Sequence, residues 1–195
     1  MTNLEVLEDR ELVAAILDGE QERFAELVQR YERRLVNYVY RMIRNYEDAH
    51  DLAQEIFIKV YMALDRYDPK YKFSTWIFRI AQNAAIDQIR KKTLPEESLT
   101  KQDRNEGGER QMQIEADVVS PYRAMFNVEM ADAIETAVQN LPEDYRDLIE
   151  LRHFAELSYD EIAEVKQLPL GTVKNKLFRA RNMLKEQLEH YMESV

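Results

Sequence analysis

A short segment near the C-terminus of this 195-residue chain concentrates basic side chains. No acidic residue lies between Gly171 and Glu186, although the whole chain carries a net charge of −10. In the DNA major groove, Arg and Lys donate to guanine and Asn pairs with adenine, while a helix N-terminus suits a phosphate. A basic run is more often a solvated helix face, but its position after a turn favours DNA contact. The candidate DNA-facing residues are Thr172, Lys174, Asn175, Lys176, Arg179 and Arg181.

A second segment, residues 70–92, places aromatic and basic side chains together. At its start lie the aromatic residues Tyr71, Phe73 and Trp76, and its basic residues are Lys70, Lys72, Arg79, Arg90, Lys91 and Lys92. An aromatic ring stacks on an unpaired base while Lys and Arg lie along the phosphates, so the mixture predicts single-stranded DNA binding. Phe73 and Trp76 also fit core positions at a helix start. For Trp76 the sequence favours neither interpretation.

A third cluster of polar side chains lies N-terminal to both of these segments. Asp51, Gln54 and Glu55 lie on the polar side of a predicted helix whose opposite side is apolar. By its spacing alone, such a group is most often a solvated helix face.

The basic segment is positioned by a predicted helix-turn-helix. Ser158 and Glu161 have the spacing of a capping box, in which each side chain satisfies the other's exposed backbone N–H. Residues 168–171 (LPLG) supply a turn, and Thr172 is predicted to cap the second helix. Apolar residues at helical spacing in both helices would face inward.

The N-terminal half of the chain is predicted to be a bundle of helices. Apolar residues recur at spacings of three and four through residues 12–42, 52–64 and 77–89, with a break near Asn45. Asp68-Pro69 predicts a loop, and Ser74 is the predicted N-cap of the helix that follows. The fold class is therefore all-α.

Residues 94–126 differ in composition from the segments on either side. They contain Gly107-Gly108 and two prolines, show little periodicity and are acidic. Such a segment has too little apolar surface to offset its ordering entropy, which predicts a flexible acidic linker. The predicted organisation is thus one helical domain over residues 1–93, a linker over 94–126 and a second helical domain over 127–195.

The composition excludes several classes of function. The chain has no cysteine, which leaves no disulfide, no thiolate zinc site and no cysteine nucleophile. Its three histidines, His50, His153 and His190, have neither metal-site nor triad spacing, so we predict no catalytic residues, no metal and no cofactor. No apolar run is long enough to span a membrane and the N-terminus is acidic, so we expect a cytoplasmic protein without membrane insertion.

Three motifs in order resemble the extracytoplasmic-function sigma factors of bacterial RNA polymerase, over nearly the whole chain. DLAQEIFIKVY (51–61) resembles their region 2.2, FSTWIFRIAQNAAIDQIRK (73–91) their regions 2.3 and 2.4, and residues 141–181 their region 4. Asn175 stands where the family usually has Ser or Thr, which affects the expected base preference. Val165, Lys166 and Gln167 replace the small-residue turn that is common in the family.

The resemblance implies a sigma-2 and a sigma-4 domain that bind core polymerase and promoter DNA and catalyse no reaction. It places Asp51, Gln54 and Glu55 against core polymerase. It implies that the opened −10 element is contacted by Lys72, Phe73, Ser74, Thr75, Trp76, Arg79, Asn83, Asp87, Arg90 and Lys91. The basic helix would read the −35 element. An anti-sigma protein is a further implied partner, and no appended C-terminal regulatory domain is expected, because the chain ends shortly after the basic helix.

Two rival hypotheses remain at this stage. An autonomous helix-turn-helix regulator would bind duplex DNA without polymerase, but it leaves residues 51–92 without a role. An enzyme would need a catalytic constellation, which the spacing of the histidines does not provide.

Overall fold

The computed structural model describes the backbone of residues 7–93 and 121–193, and the side chains of residues 7–92 and 130–189. Within those ranges the chain is helical, without a strand, which confirms the predicted all-α class. Among the described residues, four α-helices and two short 3-10 helices (Gln21–Arg23 and Leu64–Arg66) precede residues 94–120, and four α-helices follow them. The segment predicted to be a linker lies outside the described residues up to 120, and its last six residues begin a helix at Pro121.

The first set comprises α1 (Asp9–Leu17), α2 (Phe24–Ile43), α3 (Tyr46–Met62) and α4 (Phe73–Thr93). Helices α2, α3 and α4 pack pairwise, and α1 lies against α2. Fully buried side chains from the three long helices fill the space between them: Leu35, Tyr38, Ile56, Ile77 and Phe78. The rings of Tyr38 and Phe78 meet edge to face at 5.6 Å, a favoured aromatic geometry.

Local sequence explains where these helices begin. Asn45 ends the break after α2, and its side chain accepts from the backbone N–H of Asp48 at 3.0 Å, as an N-cap should. The prediction that Ser74 caps α4 is wrong. Helix α4 already includes Phe73, and the backbone N–H of Trp76 bonds to the carbonyl of Lys72 at 3.2 Å. Ser74 therefore lies in the first turn, where its hydroxyl is free to bond elsewhere.

The second set comprises α5 (Pro121–Gln139), α6 (Glu143–His153), α7 (Tyr159–Lys166) and α8 (Leu170–Glu193). Helix α8 packs against the other three. The predicted capping box is confirmed: Ser158 accepts from the N–H of Glu161, and Glu161 accepts from the N–H of Ser158 at 2.9 Å. Helices α7 and α8 form the predicted helix-turn-helix.

The turn of this motif differs from the prediction. Gln167 ends α7 in the left-handed region at φ 54°, and α8 begins at Leu170, so Leu170 and Gly171 are already helical. The carbonyl of Pro169 accepts from the N–H groups of Thr172 and Val173, at 2.8 and 3.1 Å. Thr172 is therefore a residue of the first turn and not the cap. A turn built around a side-chain-bearing residue at positive φ costs some strain, which a glycine at position 167 would avoid.

The two sets of helices are in direct contact. Helix α7 packs on α4 and helix α6 packs on α2, so buried side chains of both sets join in one apolar core. Arg41 of α2 lies with its guanidinium carbon 3.9 Å from the ring centroid of Phe154, at the end of α6. The sequence left this arrangement open, since each set is predicted to bury its own apolar face.

Glu150 of α6 is buried at this contact, with 2% of its surface exposed. Its Oε1 atom has no hydrogen-bond partner among the described residues. Burial, followed by the nearby charge of Asp147, raises the pKa of Glu150 to about 7, and the arginines of positions 146, 41 and 44 only partly oppose the rise. Tyr38, which faces the same carboxylate from α2, has its pKa raised by burial and by the charges of Asp147 and Glu150.

We expect Glu150→Gln to stabilise the chain at pH 8. Because the folded-state pKa lies above that of the unfolded chain, ionised Glu150 destabilises the fold fully above pH 7. The penalty disappears as the pH falls from 7 towards the unfolded value. The gain in unfolding free energy should be on the order of 2 kcal/mol at pH 8 and near zero at pH 4.5. Urea unfolding of both chains across this range measures it.

Taking the difference in unfolding free energy between the two chains removes the contribution of a second titrating group, His153. Burial and the charges of Arg181 and Arg152 lower the pKa of His153, which reduces stability below about pH 6.5 in both chains equally. A gain that is the same at pH 8 and pH 4.5 would contradict the assignment to Glu150 ionisation.

Candidate nucleic-acid and polymerase interfaces

Helix α8 presents one exposed polar stripe away from its packed face. Lys174, Asn175 and Arg179 are exposed, while Val173, Leu177 and Ala180 between them are buried. Asn175 and Arg179, four positions apart, are neighbours on one helix face, and Lys174 lies beside that face on the same exposed side of α8. The stripe starts one turn from the N-terminus of α8, where a recognition helix meets base edges.

Two other basic residues of α8 have partners within the fold. The Nζ atom of Lys176 lies 2.7 Å from Asp144 Oδ2 and 6.0 Å from the ring centroid of Tyr145, both in the first turn of α6. The guanidinium of Arg181 lies 5.8 Å from the ring centroid of Tyr159 at the start of α7. Lys176 is therefore paired within the fold, whereas Arg181 is exposed and, two turns after Lys174, lies on the same side of α8 as that residue.

Phe178 joins that stripe, and the sequence analysis missed it. It follows Lys174 by one helical turn, and 65% of its surface is exposed. Helical periodicity gives the signal that identifies it: Leu177 and Ala180 occupy the inward positions, so Phe178 must face outward. An exposed phenyl ring between cations suits an apolar group on a base edge, and thymine offers a methyl group in the major groove.

Near the start of α4, some of the residues predicted to contact single-stranded DNA are buried and others are exposed. Phe73 is buried in a cluster with Tyr31, Tyr67 and Trp76, at ring-centroid distances of 5.3, 5.6 and 5.7 Å. Trp76 is partly buried against the same core. Phe73 is thus a core residue here, and Trp76, for which the sequence favoured neither interpretation, contributes to packing. Tyr71, with 52% of its surface exposed, is the aromatic ring left available for stacking.

Ser74 and Thr75 are also buried, at 6% and 5% exposure. The Ser74 hydroxyl donates to Glu161 Oε1 of α7, whereas Thr75 Oγ1 has no hydrogen-bond partner among the described residues. Neither hydroxyl is accessible to DNA in this arrangement.

The remaining predicted contacts of α4 form an exposed stripe along the helix. Its members are Arg79, Asn83, Asp87, Arg90 and Lys91. Arg90 Nη1 lies 3.8 Å from Asp87 Oδ1, a weak exposed pair. The stripe is long enough to follow a strand of DNA, and its cations outnumber its single carboxylate.

The three predicted polymerase contacts lie together on α3. Asp51, Gln54 and Glu55 are exposed on one face, while Leu52, Ala53 and Ile56 are buried on the other. A groove between α3 and α4 is lined by Glu55 and Lys59 on one side and by Asp87, Arg90 and Lys91 on the other. The candidate polymerase face and the α4 stripe are therefore neighbours.

The described residues hold no group of His, Asp and Glu side chains suited to a metal ion.

No described helix is both long and apolar enough to cross a membrane.

Comparison with known proteins assigns the chain to a family. The family model for Sigma-70 region 2 matches residues 27–94, and the one for Sigma-70 region 4 matches residues 131–184. These matches include α2 to α4 and α6 to α8, the helices that carry the exposed stripes. The class defined by fold and sequence is that of sigma factors, which are transcription initiation factors.

Individual relatives refine the class. The ECF RNA polymerase sigma factor SigW of Bacillus subtilis is 40% identical over 177 residues, covering 90% of this chain and 94% of SigW. The ECF RNA polymerase sigma-E factor of Escherichia coli (strain K12) is 33% identical over 190 residues, covering 95% and 96%. This chain belongs to the extracytoplasmic-function (ECF) sigma factors of RNA polymerase.

Solved structures agree with this assignment. CnrH, solved in complex with the cytosolic domain of CnrY, superposes with a TM-score of 0.67 at 25% identity, covering 93% of this chain and 97% of CnrH. The sigma factor RpoE of Bartonella quintana, solved with the anti-sigma factor NepR, superposes with a TM-score of 0.61 at 20% identity and supports the fold alone.

Proposed function

We propose that this chain binds core RNA polymerase through α3 and directs it to promoters whose −35 element is read by α8 and whose −10 element is melted against α4. The observation that carries the proposal is the exposed stripe of Lys174, Asn175, Phe178 and Arg179 on the second helix of a helix-turn-helix. Lys174 and Arg179 can donate to guanine, Asn175 can pair with adenine, and the Phe178 ring can contact a thymine methyl group.

Charge explains why polymerase is needed. A chain with a net charge of −10 repels the phosphates of DNA, so its two small basic stripes have low affinity for DNA by themselves. On core polymerase both stripes would be held at a fixed separation, so binding at one element raises the effective concentration at the other. Exposed Tyr71 and the cations of α4 would favour melted over duplex DNA by binding unstacked bases.

The proposed partners are core RNA polymerase and promoter DNA, with an anti-sigma protein as a third. The support for the third partner is that CnrH, 25% identical to this chain, was solved in complex with the cytosolic domain of CnrY.

Transcription in vitro tests the proposal. Purified core polymerase, with and without this chain, is given a pool of promoter fragments, and the transcripts are sequenced. We expect chain-dependent transcripts whose start sites share one −35 and −10 pair. Tight duplex binding by the chain alone, without such transcripts, would instead favour the autonomous regulator and overturn the proposal.

Phe178→Ala should weaken the use of a −35 element that places thymine against the ring. Loss of the contact costs about 1 kcal/mol, or roughly fivefold in promoter binding. Replacing that thymine by uracil, which lacks only the methyl group, should weaken the unmodified chain similarly and leave Phe178→Ala unaffected. Binding of both DNAs by the assembled holoenzyme measures this. If the uracil template weakens both proteins equally, Phe178 does not contact the methyl group.

A further inference from the structure

Lys176 lies at the edge of the exposed stripe of α8. Successive residues of an α-helix are rotated by about 100° around its axis, so Lys176 and Arg179 are about 60° apart and less than one turn apart along the helix. Thr172, one turn before Lys176, lies on the same edge. The Lys176 side chain is 27% exposed, at the border between the exposed and the buried sides of α8. A lysine at this edge is well placed to bind a phosphate that flanks the groove read by the stripe.

An aspartate in the first turn of α6 binds the same ammonium group. Asp144 Oδ2 lies 2.7 Å from Lys176 Nζ, and the ring centroid of Tyr145 lies 6.0 Å from that nitrogen. The hydrogen bond from Lys176 and then its charge lower the pKa of Asp144, with a smaller contribution from the charge of Lys166. The carboxylate is therefore ionised at neutral pH. It is also 76% exposed, so its charge lies at the surface beside the edge of the stripe.

The Asp144 carboxylate and a DNA phosphate compete for Lys176. A phosphate contact requires the ion pair to break, and it leaves an unpaired carboxylate close to the DNA, where like charges repel each other. Because a phosphate contact carries no sequence information, this competition weakens attraction to every DNA sequence alike. It leaves the reading of bases by Lys174, Asn175 and Arg179 unchanged.

We propose that Asp144 restrains DNA binding by α8: it occupies the Lys176 ammonium and so weakens the sequence-independent attraction of this helix for duplex DNA. The proposal rests on the proposed function, because it concerns the same −35 surface. With Lys176 engaged, binding by α8 depends more strongly on base contacts and on attachment to core polymerase. The net charge of −10 acts over the whole chain in the same direction, whereas Asp144 acts at the helix that meets the DNA.

Asp144→Asn removes the charge and keeps the shape of the side chain. Holoenzyme assembled from the full chain and core polymerase is mixed with a labelled promoter fragment whose −35 element is scrambled, and the dissociation constant is measured at several salt concentrations. We expect about threefold tighter binding at low salt. The slope of log affinity against log salt concentration should steepen by about 0.9, the value for one additional phosphate contact. A fragment with the intact −35 element should gain by the same factor.

Glu143→Gln is the matched control. It makes the same charge change at the neighbouring exposed position in the first turn of α6, but the ion pair of Lys176 involves Asp144 and not Glu143. This variant should leave the salt slope unchanged. Asp144→Glu, which retains a carboxylate, should bind DNA as the original chain does. A role of Asp144 in packing alone predicts weaker DNA binding by Asp144→Asn, the opposite of the expected gain, and circular dichroism melting confirms that the variants are folded.

Lys176→Gln tests whether the gain comes from the lysine. In a chain that already carries Lys176→Gln, Asp144→Asn should neither tighten DNA binding nor steepen the salt slope, because no ammonium group is released. An equal gain with and without Lys176 would show that Asp144 acts through its own charge, and it would overturn the proposal. Unchanged or weaker binding by Asp144→Asn in the original chain would overturn it as well.

Failure of the proposed function has a different signature. If the chain forms no holoenzyme with core polymerase, the proposed function fails. Binding of the same fragment by the full chain alone at low salt then compares Asp144→Asn with Glu143→Gln. Tighter binding by Asp144→Asn would still support the restraint, and equal binding by these two variants would refute it.

Discussion

Asp51→Arg is expected to weaken binding to core polymerase by roughly 100-fold, or about 3 kcal/mol, while the fold remains intact. Asp51 is exposed on α3 beside Gln54 and Glu55, on the face opposite the buried residues of that helix. A face with two carboxylates suits a cationic partner surface, and reversing one charge replaces attraction by repulsion. An equilibrium binding measurement with labelled chain and purified core polymerase gives the affinity ratio.

Glu32→Arg is the matched control. It makes the same charge change at an exposed position of α2, outside the α3 face, so it should leave polymerase affinity within about twofold. Unfolding free energies of both variants should stay within about 0.5 kcal/mol of the original chain, as is usual for surface substitutions. Equal losses of polymerase affinity in the two variants would show that net charge, and not the α3 face, governs binding.

Much of the fold could be predicted because local signals and packing agree. The spacing of Ser158 and Glu161 alone identifies the start of α7, and the predicted break near Asn45 is where α3 begins, with Asn45 as its N-cap. The inward periodicity of Leu177 and Ala180 likewise determines which side of α8 is exposed. These features depend on neighbours within a few residues in the sequence.

What the sequence did not indicate mostly involves contacts distant in sequence, although the Thr172 cap was wrong for a local reason, the helix start at Leu170. Ser74 has the residue type of a cap, but its hydroxyl bonds to Glu161, 87 positions away. Lys176 stays a predicted DNA contact, and its pairing with Asp144 of α6 is a second feature that the sequence did not indicate. A single sequence carries no signal for such pairings, because periodicity describes only the element in which a residue lies.

The same distinction applies to the candidate site. The α3 face and the α8 stripe could be predicted, since exposure on a helix follows from periodicity. The burial of part of the −10 set could not be predicted, because Phe73 packs on Tyr31 of α2 and on Tyr67, and Ser74 bonds to Glu161 of α7. Phe73, Ser74 and Thr75 can contact DNA only if the arrangement of the two helix sets changes. Without such a change, their role is to support Tyr71 and Lys72.

Arg179→Ala is expected to abolish discrimination at one position of the −35 element. Arg179 is exposed on the α8 stripe, where a guanidinium suits the two acceptors of guanine, and one such contact contributes about 1–3 kcal/mol of discrimination. Transcription from the selected promoter should fall by roughly fivefold to 150-fold. On a template whose contacted guanine is replaced, the original chain and Arg179→Ala should be equally poor, because the side chain then has no partner to lose.

Lys185→Ala is the control variant that distinguishes recognition of a base by Arg179 from general attraction between a cation and DNA. Lys185 is exposed on the same helix, with its Nζ atom 3.5 Å from Glu189, and lies about three turns beyond Lys174. Its loss should affect all templates alike or none, since a phosphate contact carries no sequence information. Core-polymerase affinity should be unchanged in both variants, because α8 lies apart from the α3 face. If Arg179→Ala instead lowers transcription from every template by the same factor, Arg179 contacts phosphate, and base reading at the −35 element depends on Lys174, Asn175 and Phe178.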